Sequence, residues 1–542
     1  MILRVLPGLL LLLATCQCSS EPGAFKVFRV LPTTNQQLLQ MIRLFETADT
    51  ERADFWHAPS VVNGTVDIMV APEHTEQFHD YLEKHGYTFQ VAIEDLKKLL
   101  IEKEGNLATH NSDEEFFMKR LHDDVGFHSR LRMGEYYSYS VLSTWLQRIA
   151  ENMPDIAQVI KVGTTVEGRE ILGLKFGKDT PDKKIVVIDA GIHAREWAAI
   201  HTASYFINLI VNNREGDPQI QNYLDNIVLY IIPVLNPDGY EFTRTDKTNP
   251  RARMWRKSRS PKACAFDGAR NSCCMGVDLN RNFDFRFAEI GSSRYPCSEI
   301  YHGSSAFSEP ESKAYSQFLM SLKGRMEAYI TLHSYSQLWI YSYSHRKFTY
   351  APDIDETRRV AAKAVQELGR MYGTKYRHGT GPEIIYAFSG GSTDWAKETL
   401  KIKYSYTIEL RPGYEEWNGF VLDKNQLIPT AKETWAGVTV VLDEVANQWK
   451  SSRRLNRRNR KIVNGNTAIL ASRKKECPKQ FQTFRVSDRE SELSRIREER
   501  CADRLSGCAY WLQTSPNICR GSQATMVRDC AKTCNLCHMI VV

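Results

Sequence analysis

The stretch "KIVVIDAGIHAREWAAIH" (residues 184–201) joins an apolar run to a helical pattern. The run is typical of a buried strand, and the residues after it begin a helix. At the junction His193 stands three residues before Glu196, and on a turn this spacing can direct both side chains to one metal ion. By itself the spacing is weak evidence, because a chain with 14 histidines contains about one such spacing by chance. A surface salt bridge between the two residues is the alternative. The stretch therefore predicts a strand-to-helix unit with a candidate metal site at its junction.

The same alternation of apolar strands and amphipathic helices runs from about Tyr136 to Asn447. Runs such as "NIVLYIIPVLN", "MEAYITLHSYS" and "YSYTIELR" predict an α/β domain with one wide sheet and helices on both faces. His333 lies in the second run, and ligands at the carboxyl ends of strands match the general place for sites in open α/β sheets. His333 is therefore the candidate third ligand beside His193 and Glu196, although a single histidine there also fits a structural or surface role.

The first residues have the layout of a targeting segment. Residues 1–20, "MILRVLPGLLLLLATCQCSS", contain an early arginine, an apolar stretch and small residues at the end, as a cleaved secretory signal does. No later apolar run is long enough to span a bilayer. The sequence therefore predicts a secreted, extracellular protein without a membrane span.

A small unit and a connector lie between this signal and the α/β domain. Strand-like and helix-like pieces alternate over residues 25–95, which predicts an α+β unit with helices on one sheet face. The charged stretch 102–132 reads as an exposed connector with basic cleavage points after Arg120, Arg130 or Arg132. An ordinary surface helix is the alternative interpretation of this stretch.

The formal charge of +7 comes from one segment. Residues 450–475 carry ten Lys or Arg and no acid, so the rest of the chain has a net charge of −3. We therefore expect no nucleic-acid binding and interpret residues 448–500 as a basic, mixed-charge linker. The run "RRLNRRNRK" within it is consistent with a solvated segment, with cleavage sites for a secretory-pathway protease, or with attraction to acidic matrix glycans.

The cysteines indicate an oxidising compartment. Of the 13 cysteines, two lie in the predicted signal, and the others cluster within residues 264–297 and 477–537. Clustering in an exported chain predicts disulfide bonds. Cys264 and Cys273 are close enough for a local bridge, with two free thiols as the alternative. The number of cysteines after the signal is odd, and isolated Cys477 is the candidate without a partner.

Eight motifs in chain order carry a family resemblance. They are "GIHAREW", "NPDGY", "RMWRKSR", "GVDLNRNF", "YHGSSAFSEPES", "LHSYSQ", "GGSTDW" and "YTIELR". Together they resemble the M14 family of zinc carboxypeptidases of the pancreatic A/B type, and the α+β unit resembles that family's activation segment. The resemblance implies a mixed eight-stranded sheet with helices on both faces in a catalytic domain at residues 133–447. It implies a ferredoxin-like prodomain in an activation propeptide at residues 21–132.

The resemblance implies roles in catalysis for five residues. One Zn²⁺ ion per catalytic domain would be bound by His193, Glu196 and His333. Asp278 matches the carboxylate that orients the first histidine. Glu409 matches the general base that takes a proton from zinc-bound water and returns it to the leaving amine.

Further residues match the family's substrate contacts. Asn280 and Arg281 match the clamp for the terminal carboxylate, which favours arginine because it can donate two hydrogen bonds. Tyr386 matches the mobile tyrosine that closes over the clamp. Arg256 matches the cation that polarises the scissile carbonyl, and Arg195 matches a subsite arginine. Without the resemblance these arginines would read as surface residues.

One position carries the expected specificity. Thr393 stands where B-type members have an acid that binds Lys or Arg side chains and where A-type members have an apolar residue. Because threonine is uncharged, a hydrophobic (A-type) preference is expected rather than a basic one. Gly381 and Ser344 are roomier or more polar than the A-type pattern, so the choice between aromatic and small aliphatic side chains stays open.

The sequence and its resemblances also indicate covalent features. Cys274 and Cys297 match the family's disulfide, and Asn63 in "NGT" is the one glycosylation sequon. The six cysteines at residues 501–537 resemble a ShK-toxin-like (ShKT) domain, with zinc binding by these cysteines as the competing interpretation. The bridges implied there are Cys501–Cys537, Cys508–Cys530 and Cys519–Cys534.

Two functions are compatible with these observations. The first is a secreted, zinc-dependent metallocarboxypeptidase, made as a zymogen and activated by a trypsin-like protease, that acts on the C-termini of peptides or proteins. The second is a non-catalytic matrix or binding protein that acts through the basic linker and the ShKT module, which would bind an extracellular matrix or protein partner. Loss of a zinc ligand or of the base would favour the second function, and neither is lost.

Overall fold

The structure is a computed structural model that describes residues 23–50, 52–105, 131–266 and 271–447. Several predictions fall on residues outside these ranges. They are the signal at 1–20, the cleavage points after Arg120 and Arg130, Cys477, the linker at 448–500, and the module at 501–537 with its bridges Cys501–Cys537, Cys508–Cys530 and Cys519–Cys534.

The N-terminal unit is a four-stranded antiparallel sheet with helices, which confirms the predicted ferredoxin-like α+β prodomain. Its sheet order is β2-β3-β1-β4. Its core contains Phe28 and Val30, alternate residues of one strand, packed with Met41 and Leu82 of the helices. The elements are β1 (Lys26–Leu31), α1 (Asn35–Thr47), β2 (Ala53–His57), β3 (Val66–Val70), α2 (Thr75–Lys84), β4 (Thr88–Ile93) and α3 (Leu96–Glu104).

The larger domain contains one mixed sheet of eight strands, as predicted. In chain order these are β5 (Ala157–Thr164), β6 (Glu170–Phe176), β7 (Lys184–Ala190), β8 (Ile227–Ile232), β11 (Met326–Ser334), β12 (Leu338–Tyr341), β13 (Arg377–Thr380) and β14 (Tyr404–Leu410). Their order in the sheet is β13-β12-β14-β11-β7-β8-β6-β5. The central strands β14, β11, β7 and β8 are parallel, so their carboxyl ends share one edge.

Helices cover both faces of this sheet. The helices of this domain are α4 (Tyr139–Asn152), α5 (Trp197–Asn213), α6 (Pro218–Asn226), α7 (Pro237–Thr245), α8 (Pro250–Arg253), α9 (Pro310–Ser321), α10 (Ile354–Tyr372), α11 (Gly381–Ile384), α12 (Ser392–Trp395) and a helix at residues 424–447. Strand β7 shows why two layers form: Val186 and Ile188 enter one apolar core, and Ile185 and Val187 enter the other. None of the described helices combines the length and the hydropathy that crossing a bilayer requires.

An excursion between α8 and α9 carries both disulfides that were predicted in this domain. Strands β9 (Ala263–Phe266) and β10 (Asn271–Cys274) form a hairpin in which Cys264 and Cys273 are register partners and are disulfide-bonded. The Cys274–Cys297 disulfide is also present. The second bond ties the hairpin to the loop that precedes α9.

The prodomain and the larger domain share an apolar core. Val27 and Trp56 of the prodomain pack in one cluster with Met254, Tyr335 and Phe420. The indole of Trp56 lies so close to Gly419 that a Cβ there would be 2.4 Å from Trp56 Cε3. Because only glycine leaves this space, Trp56 can insert fully into the larger domain.

Candidate active site

Three neighbouring parallel strands bring the predicted metal ligands and base to one edge of the sheet. His333 and Glu409 are register partners on β11 and β14. His193 lies three positions after the end of β7, and Glu196 is the residue before α5. The site therefore lies at the carboxyl ends of the strands, where the sequence pattern placed it.

The three candidate ligands converge inside the protein. Glu196 Oε1 lies 2.7 Å from His193 Nδ1, and Glu196 Oε2 lies 3.0 Å from His333 Nδ1. The two Nδ1 atoms are 3.1 Å apart. All three residues are at most 3% exposed. Two imidazoles and one carboxylate at such distances are the donor set that Zn²⁺ takes in hydrolases with three protein ligands.

Asp278 makes this cluster fit a cation. Its Oδ1 lies 3.1 Å from His193 Nε2, so the Nε2 atom of a neutral His193 donates to the carboxylate and the lone pair of Nδ1 faces Glu196. Two acceptors, the Nδ1 of His193 and the Oε1 of Glu196, then point at each other, and a metal ion between them satisfies both. These residues therefore fit a zinc ion.

Asp278 also holds Arg256 beside the cluster. The guanidinium of Arg256 donates to Asp278 Oδ2 from Nη2 at 2.9 Å and from Nε at 3.2 Å, and its Nη1 is 3.8 Å from Glu196. Burial opposes ionisation of Asp278, but Arg256, Arg281 and His193 outweigh it and hold its pKa well below the usual value. A permanently charged, oriented guanidinium of this kind can stabilise a developing oxyanion.

Glu409, the register partner of His333, is a second carboxylate beside the cluster that is not one of the candidate ligands. Burial raises its pKa, and the charge of Glu196 reinforces this, whereas His333 and Arg256 partly offset it. A carboxyl group whose pKa is raised towards neutrality can both accept and return a proton. Its position fits a general base beside a metal-bound water.

The predicted carboxylate clamp lies farther along the cleft. Arg281 donates from Nε to the carbonyl of Gly291 at 2.8 Å and from Nη2 to the hydroxyl of Tyr386 at 2.7 Å. The side-chain oxygen of Asn280 accepts from the backbone N–H of Ser392 at 2.9 Å, which fixes that amide. Asn280, Arg281 and Tyr386 thus lie together, as the resemblance implied.

Thr393 lies in α12, buried beneath the cleft. Its hydroxyl is 3.3 Å from that of Thr407, which lines the cleft beside Ile340, and its backbone carbonyl accepts from Ser405 at 2.8 Å. The carboxylates that line the described part of the cleft are Glu196, Glu299 and Glu409. None of them lies on α12, so this helix contributes no carboxylate to the described lining of the cleft.

An acid of the prodomain pairs with Arg195, the predicted subsite arginine. Arg195 Nη1 donates to Asp54 Oδ2 at 2.7 Å, and both side chains are buried. The guanidinium also lies over the ring of Phe420, 4.3 Å from its centroid. Glu299 Oε2 is 3.7 Å away, and burial together with Asp54 raises the pKa of Glu299 to about 7. Arg195 is therefore covered by the prodomain in this structure.

Aromatic residues of the prodomain line the same cleft. Phe45, Phe55 and Trp56 form part of its wall, and the ring of Phe45 meets that of Tyr386 edge-on at 6.1 Å. The prodomain therefore closes the cleft over the clamp as well as over Arg195.

Sequence reasoning missed the prodomain residues that make these contacts. Asp54 and Trp56 alternate with Phe55 on β2, and all three are buried, so both faces of this strand are covered. Large aromatic residues at consecutive positions of a short strand, Phe55 and Trp56, were the available signal that both faces of the strand are buried. The buried pair Glu104–Arg253 between α3 and α8 gave no comparable signal, because glutamate at a helix end is usually solvated.

Comparisons with known proteins agree with this geometry. The zinc carboxypeptidase family matches residues 142–437, and the carboxypeptidase activation peptide family matches residues 28–104. Carboxypeptidase A2 of Mus musculus is 35% identical over 444 residues, which cover 82% of this chain and 99% of the relative. Carboxypeptidase B of Bos taurus is 36% identical over 429 residues, with 78% and 93% covered.

Solved structures show the same similarity. The thrombin activatable fibrinolysis inhibitor superposes with a TM-score of 0.65 at 29% identity, covering 78% of this chain and 99% of that one. Carboxypeptidase A from Helicoverpa armigera gives a TM-score of 0.64 at 26% identity, with 78% and 98% covered. The chain therefore belongs to the zinc carboxypeptidase family and is a metallocarboxypeptidase with a zinc cofactor and an activation peptide.

Proposed function

We propose that this protein is a secreted carboxypeptidase, made as a zymogen, that removes single uncharged, mainly hydrophobic residues from the C-termini of peptides or proteins. The observation that carries the proposal is the single cleft in which His193, Glu196 and His333 converge beside Glu409 and lead to the clamp of Arg281. A metal site and a carboxylate clamp in one groove suit a hydrolase that acts at chain ends.

Each group along this cleft has a separate role in the reaction. Zinc, when bound, supplies a Lewis acid and acidifies a water. Arg281 and Asn280 hold the terminal carboxylate of the substrate, which positions the last peptide bond. Glu409 accepts the proton of the attacking water and donates it to the leaving amine, and Arg256 stabilises the negative charge on the carbonyl oxygen.

Two features support an uncharged preference over a basic one. The hydroxyls of Thr393 and Thr407 face each other at 3.3 Å, and neither can pair with the charge of lysine or arginine. Asp394, the neighbouring acid, accepts the backbone N–H of Ser344 at 2.6 Å and is buried, so it serves the local structure. A buried cationic side chain without a partner is strongly disfavoured.

Activation and export complete the proposal. Arg132 is exposed, and a trypsin-like protease that cuts after it would release the prodomain. The disulfides Cys264–Cys273 and Cys274–Cys297 suit an extracellular protein. Asn63, exposed in the turn between β2 and β3, is then the proposed glycosylation site. The alternative, a matrix-binding role, rests on residues 448–537, outside the described residues.

The test is to treat the purified secreted protein with trypsin and offer peptides that end in Leu, Phe or Lys, with and without a zinc chelator. We expect chelator-sensitive release of Leu or Phe in preference to Lys. Absence of any chelator-sensitive release would contradict the proposed function.

The role of Thr393 is tested separately with Thr393→Asp in the same assay. A carboxylate at this position provides an ion pair for a basic side chain, so we expect kcat/KM for the Lys peptide to rise relative to Leu by about tenfold or more. Glu416→Gln, a change of an exposed acid outside the cleft, is the matched control. An unchanged Lys-to-Leu ratio in Thr393→Asp would refute this role.

A further inference from the structure

The aromatic ring of Phe388 forms one wall of the cleft beside the carboxylate clamp. Phe388 is 7% exposed and lines the cleft together with Ile340, Ile385 and Thr407. Its ring lies under the guanidinium of Arg281, whose Cζ is 4.6 Å from the ring centroid. Because Arg281 holds the substrate carboxylate under the proposed function, a side chain on the last substrate residue must pass next to this ring.

Glycines make room for the ring on both of its edges. A Cβ on Gly381 would lie 3.3 Å from Phe388 Cε1, and a Cβ on Gly391 would lie 2.9 Å from Phe388 Cε2. The ring therefore spans the gap between α11 and the start of α12. It occupies space that larger residues at these two positions would otherwise fill.

The position of the ring is fixed by its backbone. The N–H of Phe388 donates to the carbonyl of Ser344 at 2.9 Å. A Cβ on Gly291 would lie 2.8 Å from Phe388 Cα and 2.9 Å from its Cβ, so the two backbones are in direct contact. The wall cannot retreat from a bulky substrate without moving three packed segments, which close packing resists.

We infer that Phe388 limits the size of the C-terminal side chain, so that the enzyme selects short aliphatic residues such as Val and Leu over Phe and Trp. This inference rests on the proposed function and deepens it. The room that Gly381 leaves is already taken by Phe388 and is not available to an aromatic substrate.

The test compares kcat/KM of the activated enzyme for peptides that end in Ala, Leu or Phe. For the wild type we expect Leu to exceed Phe by at least about tenfold, the scale by which a few carbon atoms change pocket discrimination. Phe388→Ala removes the ring and should raise the Phe-to-Leu ratio by about tenfold or more. Loss of the contact with Arg281 would lower kcat/KM for all three peptides together and leave this ratio unchanged.

A second variant makes the pocket smaller, whereas Phe388→Ala makes it larger. Gly381→Ala places a methyl group 3.3 Å from Phe388 Cε1 and 3.1 Å from Ser344 Cβ, and it should lower kcat/KM for Leu relative to Ala. Phe318→Ala is the control for ring removal, because Phe318 packs on Tyr230 at 5.6 Å and does not line the cleft. The Phe-to-Leu ratio should not change in this control.

The outcomes separate the inference from the proposed function. A wild-type preference for Phe over Leu would overturn the inference, as would an unchanged Phe-to-Leu ratio in an active Phe388→Ala enzyme. If Phe388→Ala does not fold, an unchanged Leu-to-Ala ratio in Gly381→Ala overturns it. If the wild type releases no residue in a chelator-sensitive manner, the proposed function fails and the inference fails with it.

Discussion

The metal cluster and the contact with the prodomain are stabilised by different parts of the chain. At the metal end, the described hydrogen-bond partners of His193, Glu196 and His333 all belong to the catalytic domain. At the contact between the two domains, here called the arginine end, arginines of the catalytic domain pair with acids of the prodomain. These pairs are Arg195–Asp54, Arg253–Glu104 and Arg251–Glu73.

The difference indicates how the prodomain keeps the enzyme inactive. Its carboxylates pair with Arg195, Arg251 and Arg253, and its aromatic rings cover the clamp, while the metal ligands are satisfied without it. We therefore expect the zymogen to be a complete metalloenzyme whose substrate path is blocked. Changes at the metal end should alter catalysis alone, and changes at the arginine end should alter prodomain docking.

The largest effect is expected at the metal end, from Glu409→Gln. An amide cannot accept the proton of the attacking water, so kcat/KM of the trypsin-activated enzyme should fall by about 10³-fold. Zinc content and the thermal unfolding midpoint of the zymogen should stay near the wild-type values, because no hydrogen bond or ion pair joins Glu409 to a described residue of the prodomain. The measurements are peptide hydrolysis, metal analysis and a thermal scan, with Glu416→Gln as the control. Retention of more than a tenth of the activity would rule out Glu409 as the base.

The metal end was predictable from the sequence for a physical reason. His193, His333 and Glu409 lie at or just after the ends of apolar runs, and parallel strands bring such ends to one edge of a sheet. The alternation of strands and helices likewise predicted the layers. A strand, a turn and a helix that follow one another are encoded in one short segment, so this pattern can be recognised from the sequence of that segment alone.

The arginine end was not predictable, because its partners are far apart in the chain. Asp54 and Arg195 are separated by 141 residues, and Glu104 and Arg253 by 149. A single sequence shows that Asp54 sits in a strand but not which surface covers that strand. The position of Phe388 was missed partly for the same reason, because Gly291, whose backbone contacts that of Phe388, is 388 − 291 = 97 residues away in the chain.

At the arginine end, the largest effect is expected from Asp54→Asn. This change leaves the buried Arg195 with Glu299 at 3.7 Å as its acidic neighbour, and breaking a buried ion pair costs about 3–5 kcal/mol. The uncleaved zymogen should therefore hydrolyse a small peptide at least about 100-fold faster than the wild-type zymogen, while the trypsin-activated enzymes behave alike. The control is Asp80→Asn, an exposed position on α2. Equal activities of the uncleaved wild-type and Asp54→Asn zymogens would show that Asp54 does not hold the prodomain in place.

A similar but smaller effect is expected from Glu104→Gln. The Glu104 carboxylate accepts from Arg253 Nη2 at 2.6 Å and from Nε at 2.9 Å, and glutamine can replace only one of these acceptors. Arg253 keeps a hydrogen bond to the carbonyl of Arg195 at 2.8 Å and its contact with the ring of Trp197, which limits the loss. We expect the zymogen to lose about 2–3 kcal/mol of stability, seen as a lower denaturant midpoint.

The control for this change lies on the same helix. Glu102→Gln affects an exposed carboxylate beside Lys103, so its effect should stay within about 0.5 kcal/mol. Neither variant should change the trypsin-activated enzyme, which lacks the prodomain. A loss of stability in the activated Glu104→Gln enzyme would mean that the prodomain is not the source of the effect.

The smallest effect is expected from Glu73→Gln. Glu73 pairs with Arg251, but both side chains are substantially exposed, at 54% and 39%. Water and salt screen such a pair, so the zymogen should lose only about 0.2–1 kcal/mol, less in high salt than in low salt. The measurement is the denaturant midpoint of the zymogen at two salt concentrations. If Glu73→Gln released activity in the uncleaved zymogen as strongly as Asp54→Asn, surface pairing would matter as much as the buried contacts at Arg195 and Arg253, and burial would not explain how the prodomain is held.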